Sequence, residues 1–395
     1  MIEHMPNVAF LSFDTNDIGG GVQRVSYLLV KGFKQKGIKS FLIYDKVFSN
    51  PSTYYNGKFL YGGNNDNRKL EQFIKEHKIK VIINNCVVTT IRTGAEIKDV
   101  LDRCDCKMIS IIHAKPDLYK VIPSVYSLVW KLKRSKEIRN KLLHILKLCI
   151  FPLYKFCSNK KYINWRKKIY MNSHKVVVLS KYYIDNFCDM LNISDRNVTS
   201  IPNPLNPEYN CSESEISKKC KEVLVVSRLE ESSKGLSRVF RAWKAIENNS
   251  SNSEWHLTIV GVGEDMVYYK NLCKELNLKR VKFEGFQNPF RYYKRAKIFI
   301  MSSFHEGFPM TLLEAEQMGL AIVAFNNFES LQELVVDDKN GYLVKDDVVC
   351  LAKKIQDLID NPDLCEKFAK FSMEHSKCFS LDIVLEKWFQ LFNSL

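Results

Sequence analysis

Short apolar runs rich in β-branched residues alternate along this chain with stretches whose apolar positions recur every three or four residues. Val8 to Phe13 reads as a buried strand, followed by the glycine turn Gly19-Gly20-Gly21. Val22, Val25, Leu28, Leu29 and Phe33 then keep helical spacing, which predicts an amphipathic helix ended by Gly37. Ser40 to Tyr44, Val81 to Ile83, Met108 to Ile112 and Val176 to Leu179 are the next expected strands. Alternation of this kind implies a parallel sheet covered by helices.

The pattern breaks at Ile201-Pro202-Asn203-Pro204-Leu205-Asn206-Pro207 and the polar residues after it, then restarts. Val223 to Val226, Leu257 to Val260, Val281 to Phe283, Ile298 to Met301 and Ala321 to Ala324 are expected strands of a second α/β unit. The predicted organisation is therefore an N-terminal Rossmann-like domain over 1–205, a linker over 206–220 and a second Rossmann-like domain over 221–375. A C-terminal helix over 376–395 is expected to pack back towards the first domain. A ligand is expected in the cleft between the domains, at the carboxyl ends of the strands.

Composition excludes wholesale disorder: 46% of the 395 residues are hydrophobic and 26% charged. The net charge of +15 is unevenly placed. Lys115 to Lys168 contains 15 Lys/Arg against Asp117 and Glu137, and the rest of the chain is nearly neutral. Of twelve cysteines only Cys104 and Cys106 lie close together, and no CxxC occurs, so a reducing cytosol is the expected compartment. The start of the chain lacks signal-peptide character, and no apolar run reaches the ~18 residues of a membrane span.

Three loops carry candidate chemistry. Ser303-Phe304-His305-Glu306-Gly307-Phe308-Pro309-Met310-Thr311-Leu312-Leu313-Glu314-Ala315 follows a strand and opens a helix. Pro309 suits the first helical turn, and the amides of Met310 and Thr311 would offer an anion site. Glu306 and Glu314 beside such a site suit hydroxyl groups of a sugar and a ribose; the alternative is a helix with acidic residues favoured by its dipole. Ser227-Arg228-Leu229-Glu230-Glu231-Ser232-Ser233-Lys234-Gly235 also follows a strand. Its two cations suit a diphosphate or are simply solvated. The glycine turn at Gly20 and Gly21 could admit a phosphate or be a plain turn, and the spacing GGGVQRV is not the GxGxxG of a dinucleotide site. His113 ends a strand and could bond a sugar hydroxyl or play a structural part.

Together these motifs resemble family 4 of the glycosyltransferases, which have the GT-B fold, and the resemblance covers nearly the whole chain. It is densest from Val223 to Asp347. The family's glutamate pair separated by seven residues is matched by Glu306 and Glu314. Its G-R-L-x-x-x-K-G clamp is matched by Arg228, Lys234 and Gly235, with Ser227 for the first glycine and one extra spacer residue. The I-P-N-G element appears as Ile201 to Pro204, the I-V-G-x-G element as Ile259 to Gly263 and the V-x-F-x-G element as Val281 to Gly285. Asn340 to Val344 closes the pattern, and Pro309 stands where many members have glycine.

The resemblance implies a retaining transferase of the bacterial surface-polysaccharide type. It would move a hexose-type sugar from a nucleotide donor, UDP favoured, to a glycan or lipid-linked acceptor. Glu306, His113, Arg228 and Lys234 would be catalytic. Gly20, Gly21, Gly307, Phe308, Met310, Thr311 and Glu314 would join Arg228, Lys234 and Glu306 around the donor, with Glu314 on the ribose. No cofactor and no metal is expected, and no Asp-x-Asp pair occurs in the chain. Rival readings are a GT-B sugar-nucleotide epimerase or hydrolase, and a catalytically silent binding subunit, against which the intact Glu306, Glu314, Arg228 and Lys234 argue. The segment 115–168, with aromatic and aliphatic residues among its lysines, is expected on an anionic membrane surface, placing the protein peripherally on the inner face of the membrane. A solvated basic helix pair is the alternative. No nucleic acid is expected, since no RNA-binding signature accompanies the basic residues.

Overall fold

The β-branched runs form two parallel sheets in a computed structural model that describes residues 5–12, 20–44, 54–86 and 93–395. Phe13 and Gly19 lie outside the described residues. The chain divides into two units, one of residues 1–204 and 381–395 and the other of residues 205–380.

In the first unit, β1 (Asn7–Leu11), β2 (Ser40–Tyr44), β3 (Gly57–Leu60), β4 (Ile79–Asn84), β5 (Lys107–Ile112), β6 (Lys175–Val178) and β7 (Val198–Ser200) lie in the order β3-β2-β1-β4-β5-β6-β7. The strand order reverses between β1 and β4, which pair in parallel from Asn7 to Leu11. The predicted helix spans Gly21–Gln35 and buries Val25, Leu28, Leu29 and Phe33. The helix Leu381–Asn393 covers it, with Trp388 and Phe392 against Phe33 at ring distances of 6.5 and 5.7 Å.

In the second unit, β8 (Cys220–Val226), β9 (His256–Val260), β10 (Val281–Gly285), β11 (Ala296–Met301), β12 (Ala321–Phe325) and β13 (Gly341–Val344) take the order β10-β9-β8-β11-β12-β13. Here the reversal falls between β8 and β11, which pair in parallel from Cys220 opposite Ala296 to Leu224 opposite Phe299, with a register shift between Ala296 and Ile298. Loops leaving the carboxyl ends of these two strands are brought side by side, the usual place for a ligand in an open parallel sheet.

Residues 206–220, polar apart from a few side chains, carry anchors that composition did not signal. Tyr209 is buried and packs on Phe290 at 4.9 Å, and Gln317 Nε2 donates to the carbonyls of Asn206 and Tyr209 at 2.9 and 2.7 Å. Ser212 and Glu215 form a capping box at the helix Glu213–Ile216. Lys219 is buried and donates to the Tyr293 carbonyl at 2.6 Å. Its ammonium is pushed down to about 8 by burial.

Candidate active site

The loop after β8 is built on a buried acidic network. The Glu231 amide donates to Asp265 Oδ2 at 2.6 Å, and the Glu231 carboxylate accepts from Ser237 N, Ser237 Oγ and Tyr269 Oη at 3.0, 2.6 and 3.0 Å. Three donors on one buried carboxylate offset its desolvation and fix the one-turn helix Glu231–Lys234. Gly235 ends that turn at φ +58, a conformation open to glycine and costly for other side chains. Gly261 is equally constrained, because a Cβ there would collide with the Ser227 carbonyl.

The loop after β11 is fastened to it. Phe304 N donates to Ser233 O at 2.9 Å, and Ser302 Oγ donates to Lys234 O at 2.7 Å. Glu306 then pairs with the Lys234 ammonium and accepts from Ser303 Oγ at 2.8 Å. Lys234 is 15% exposed and Glu306 20%, so both ends of the pair still reach the surface. Arg228 is 76% exposed, with its guanidinium 3.6 Å from Glu230. The structure thus pairs Lys234 with Glu306 beside the strand reversal and leaves Arg228 exposed at the start of the Lys234 loop: two cations and a carboxylate, groups suited to a diphosphate and a hydroxyl.

Other expected residues take different positions. Pro309 is the residue before the helix Met310–Gln317 rather than its first member. Leu312 N is bonded to Pro309 O at 3.2 Å, and the Met310 and Thr311 amides precede it at the helix start. Gly307, Phe308 and Met310 are buried, with the Phe308 ring 5.5 Å from Phe379. They therefore offer main chain rather than side chain to a ligand. Glu314, expected on a ribose, is fully buried and accepts from Tyr293 Oη at 3.0 Å. From the second turn of the helix Met310–Gln317 this carboxylate faces the interior of the second unit. Two residues on, Glu316 is buried against His375 Nδ1 at 3.1 Å, and burial pushes its carboxyl up to about 7.

Sequence reasoning passed over Arg238. Its guanidinium lies 3.9 Å from the Phe304 ring centre and 4.4 Å from that of Phe325. It donates to Asp346, to the Ser302 carbonyl and, at 3.3 Å, to the Gly235 carbonyl. One planar cation therefore ties the loop of Lys234 to the loop of Glu306. Apart from Gly235, its hydrogen-bond partners are 64 and 108 residues away, so no local pattern announces it.

In the first unit, polar residues gather at the carboxyl ends of β1, β4 and β5. Asn85 Nδ2 donates to Ser26 Oγ and Ser12 Oγ at 2.9 and 3.2 Å, and its Oδ1 lies 3.1 Å from His113 Nε2. With Oδ1 as acceptor, Nε2 carries the hydrogen and Nδ1 is left as the accepting nitrogen. Burial, and after it the Arg166 charge, pushes His113 down to about 4, so the ring is neutral at physiological pH. Gly20 precedes the helix Gly21–Gln35 in extended conformation, and a Cβ on Gly21 would meet no atom of the described residues within 4 Å. Among the described residues, no group of three or more His, Cys, Asp or Glu is placed to hold a metal.

The family of glycosyl transferases group 1 matches residues 210–375, the stretch that holds Arg228, Lys234 and Glu306. The chain is a glycosyltransferase with a group 1 domain. It is 29% identical over 250 residues to an uncharacterized glycosyltransferase of Haemophilus influenzae, covering 58% of this chain and 69% of that protein. It is 26% identical over 226 residues to the amylovoran biosynthesis glycosyltransferase AmsD of Erwinia amylovora, covering 56% of this chain and 62% of that one. Among solved structures, Anabaena Alr3699/HepE in complex with UDP superposes with a TM-score of 0.72 at 17% identity, over 98% of the glycosyltransferase and 100% of the Anabaena chain. The fold class is GT-B: two parallel-sheet α/β domains.

Proposed function

We propose that this glycosyltransferase moves a hexose-type sugar from a UDP-sugar to a glycan or lipid-linked acceptor in surface-polysaccharide synthesis, with retention of configuration and without a metal. The observation that carries the reading is the Lys234–Glu306 pair at the β8/β11 reversal, with Arg228 exposed on the same loop as Lys234 and the amides of Met310 and Thr311 at the start of the following helix. The UDP in the Anabaena structure supports the base, and the amylovoran relative supports a polysaccharide product.

In this reaction the acceptor oxygen bonds the anomeric carbon as the bond from that carbon to the diphosphate breaks, and the acceptor proton leaves with the diphosphate. Arg228 and Lys234 neutralise the charge that develops on the leaving oxygens, a preorganised electrostatic role that needs no ion. When the diphosphate draws Lys234, Glu306 is released to accept from a sugar hydroxyl. His113, neutral and oriented by Asn85, accepts a hydroxyl hydrogen at Nδ1. The Glu314–Tyr293 bond holds the helix whose first amides face the diphosphate.

The test is turnover of UDP-sugars with and without a glycan acceptor, in EDTA, with the anomer of the product read by NMR. The reading expects acceptor-dependent release of UDP that survives chelation and an α-linked product from an α-donor. Loss of turnover in EDTA restored by Mg²⁺ or Mn²⁺ overturns the metal-free mechanism. Release of free sugar or an epimerised nucleotide sugar without acceptor makes the protein a hydrolase or an epimerase.

A further inference from the structure

The helix Ile138–Cys149 buries none of its residues. Ile138, Leu142, Ile145 and Leu146 recur along one side of it and are all exposed, Ile138 at 75% and Leu142 at 61%. At 3.6 residues per turn, Arg139 and Lys141 fall on the two flanks of this stripe. The next helix, Phe151–Met171, buries Arg166 and Ile169 on one side. Its other side carries exposed Leu153 and Phe156 near the start, then exposed Lys160, Lys161, Lys167 and Lys168. Of the eighteen exposed large hydrophobic side chains among the described residues, eleven lie between Val125 and Met171. A concentration of that kind marks an interaction surface.

Charge selects the partner. The cations of this surface oppose its pairing with a second copy, which would set like charge against like. An anionic lipid surface answers both features, since it attracts lysine and takes up leucine and phenylalanine at the boundary between headgroups and chains. No helix among the described residues is long and apolar enough to cross a membrane, so the attachment is interfacial. We propose that Ile138–Cys149 and Phe151–Met171 form a docking surface for an anionic membrane. The apolar stripe of the first helix and the start of the second enter the headgroup boundary, and the four lysines meet lipid phosphates. This goes beyond the sugar-transfer reading and does not rest on it.

The test is co-sedimentation of the full chain with phosphatidylcholine vesicles and with vesicles enriched in phosphatidylglycerol. The wild type is expected to pellet with the anionic vesicles alone, less so as salt rises. The triple variant Leu142→Ser, Leu146→Ser, Phe156→Ser should lose at least about tenfold in partition, as the transfer of two leucines and a phenylalanine is forfeited. The variant Lys160→Glu, Lys161→Glu, Lys167→Glu, Lys168→Glu should lose about a hundredfold or more, at about fivefold per cation near the surface. Both variants should melt with the wild type, because these side chains are exposed, and each tests the surface without the other. Equal binding of the wild type to both kinds of vesicle, binding to neither, self-association through this surface instead of vesicle binding, or wild-type partition by both variants would overturn the proposal.

Discussion

Lys234 and Glu306 satisfy one another across two loops, and each stays partly exposed. A pair of this kind is easily exchanged for a ligand, because its Coulomb energy near the surface is modest and a diphosphate offers Lys234 more charge than one carboxylate does. Lys234→Ala and Arg228→Ala should each lower kcat/KM by about 2–4 kcal/mol, the loss typical of a missing donor to a leaving-group or oxyanion charge. Initial rates over a range of UDP-sugar concentrations measure this, and wild-type rates in both variants would remove the clamp from the mechanism. Arg238 acts differently: it touches the loops and not the expected ligand. Arg238→Lys keeps the charge but loses the planar stacking on Phe304 and Phe325, and should therefore cost both stability and turnover. Arg228 and Lys234 were legible because they follow a strand in a spaced motif. Arg238 was not, since Phe304, Phe325 and Asp346 meet it only after folding.

The helix Met310–Gln317 shows how an element distributes its residues. Its amides open towards the loop of Glu306, while Glu314 and Glu316 face the interior. Glu316 lies against His375, whose ring stacks on Phe371 at 6.1 Å and meets Phe379 edge-on at 5.6 Å, and Phe379 in turn supports Phe308. The folded protein holds the Glu316 proton more tightly than the unfolded chain does. Its contribution to stability is therefore complete below the ordinary carboxyl value of 4.5 and is lost as pH rises through about 7. Glu316→Gln should remove this dependence, so that wild type and variant converge in stability at low pH and the variant gains relative to the wild type between pH 5 and 7. Urea unfolding at a series of pH values checks it, and parallel curves for the two proteins would assign the pH response to other groups. The expected linker belongs with this lesson. Three prolines and a polar run suggest a loose connection, yet Tyr209 and Lys219 each found buried partners in the second unit.

Each unit of the molecule is a parallel sheet with one reversal of strand order, and the two candidate loops of the second unit leave the strands on either side of its reversal. If UDP binds there, hydrogen exchange should slow in residues 227–235 and 302–311 while the β1 to β3 strands of the first unit keep their rates. Unfolding should also shift by about 2.7 kcal/mol at a hundredfold excess over Kd. Protection confined to the first unit would place the nucleotide elsewhere. The strands, the helix over Gly21–Gln35 and the positions of Arg228, Lys234 and Glu306 can all be read from the chain, because local periodicity and turn residues record which side of an element is apolar and where it ends. Which element covers that side is a long-range matter. The adjacency of β8 and β11, the inward turn of Glu314, the double stacking of Arg238 and the bare stripe on Ile138–Cys149 all depend on partners remote in sequence. They arise only when the sheet order sets loops and helices beside one another, since burial belongs to the packed neighbourhood and not to the side chain alone.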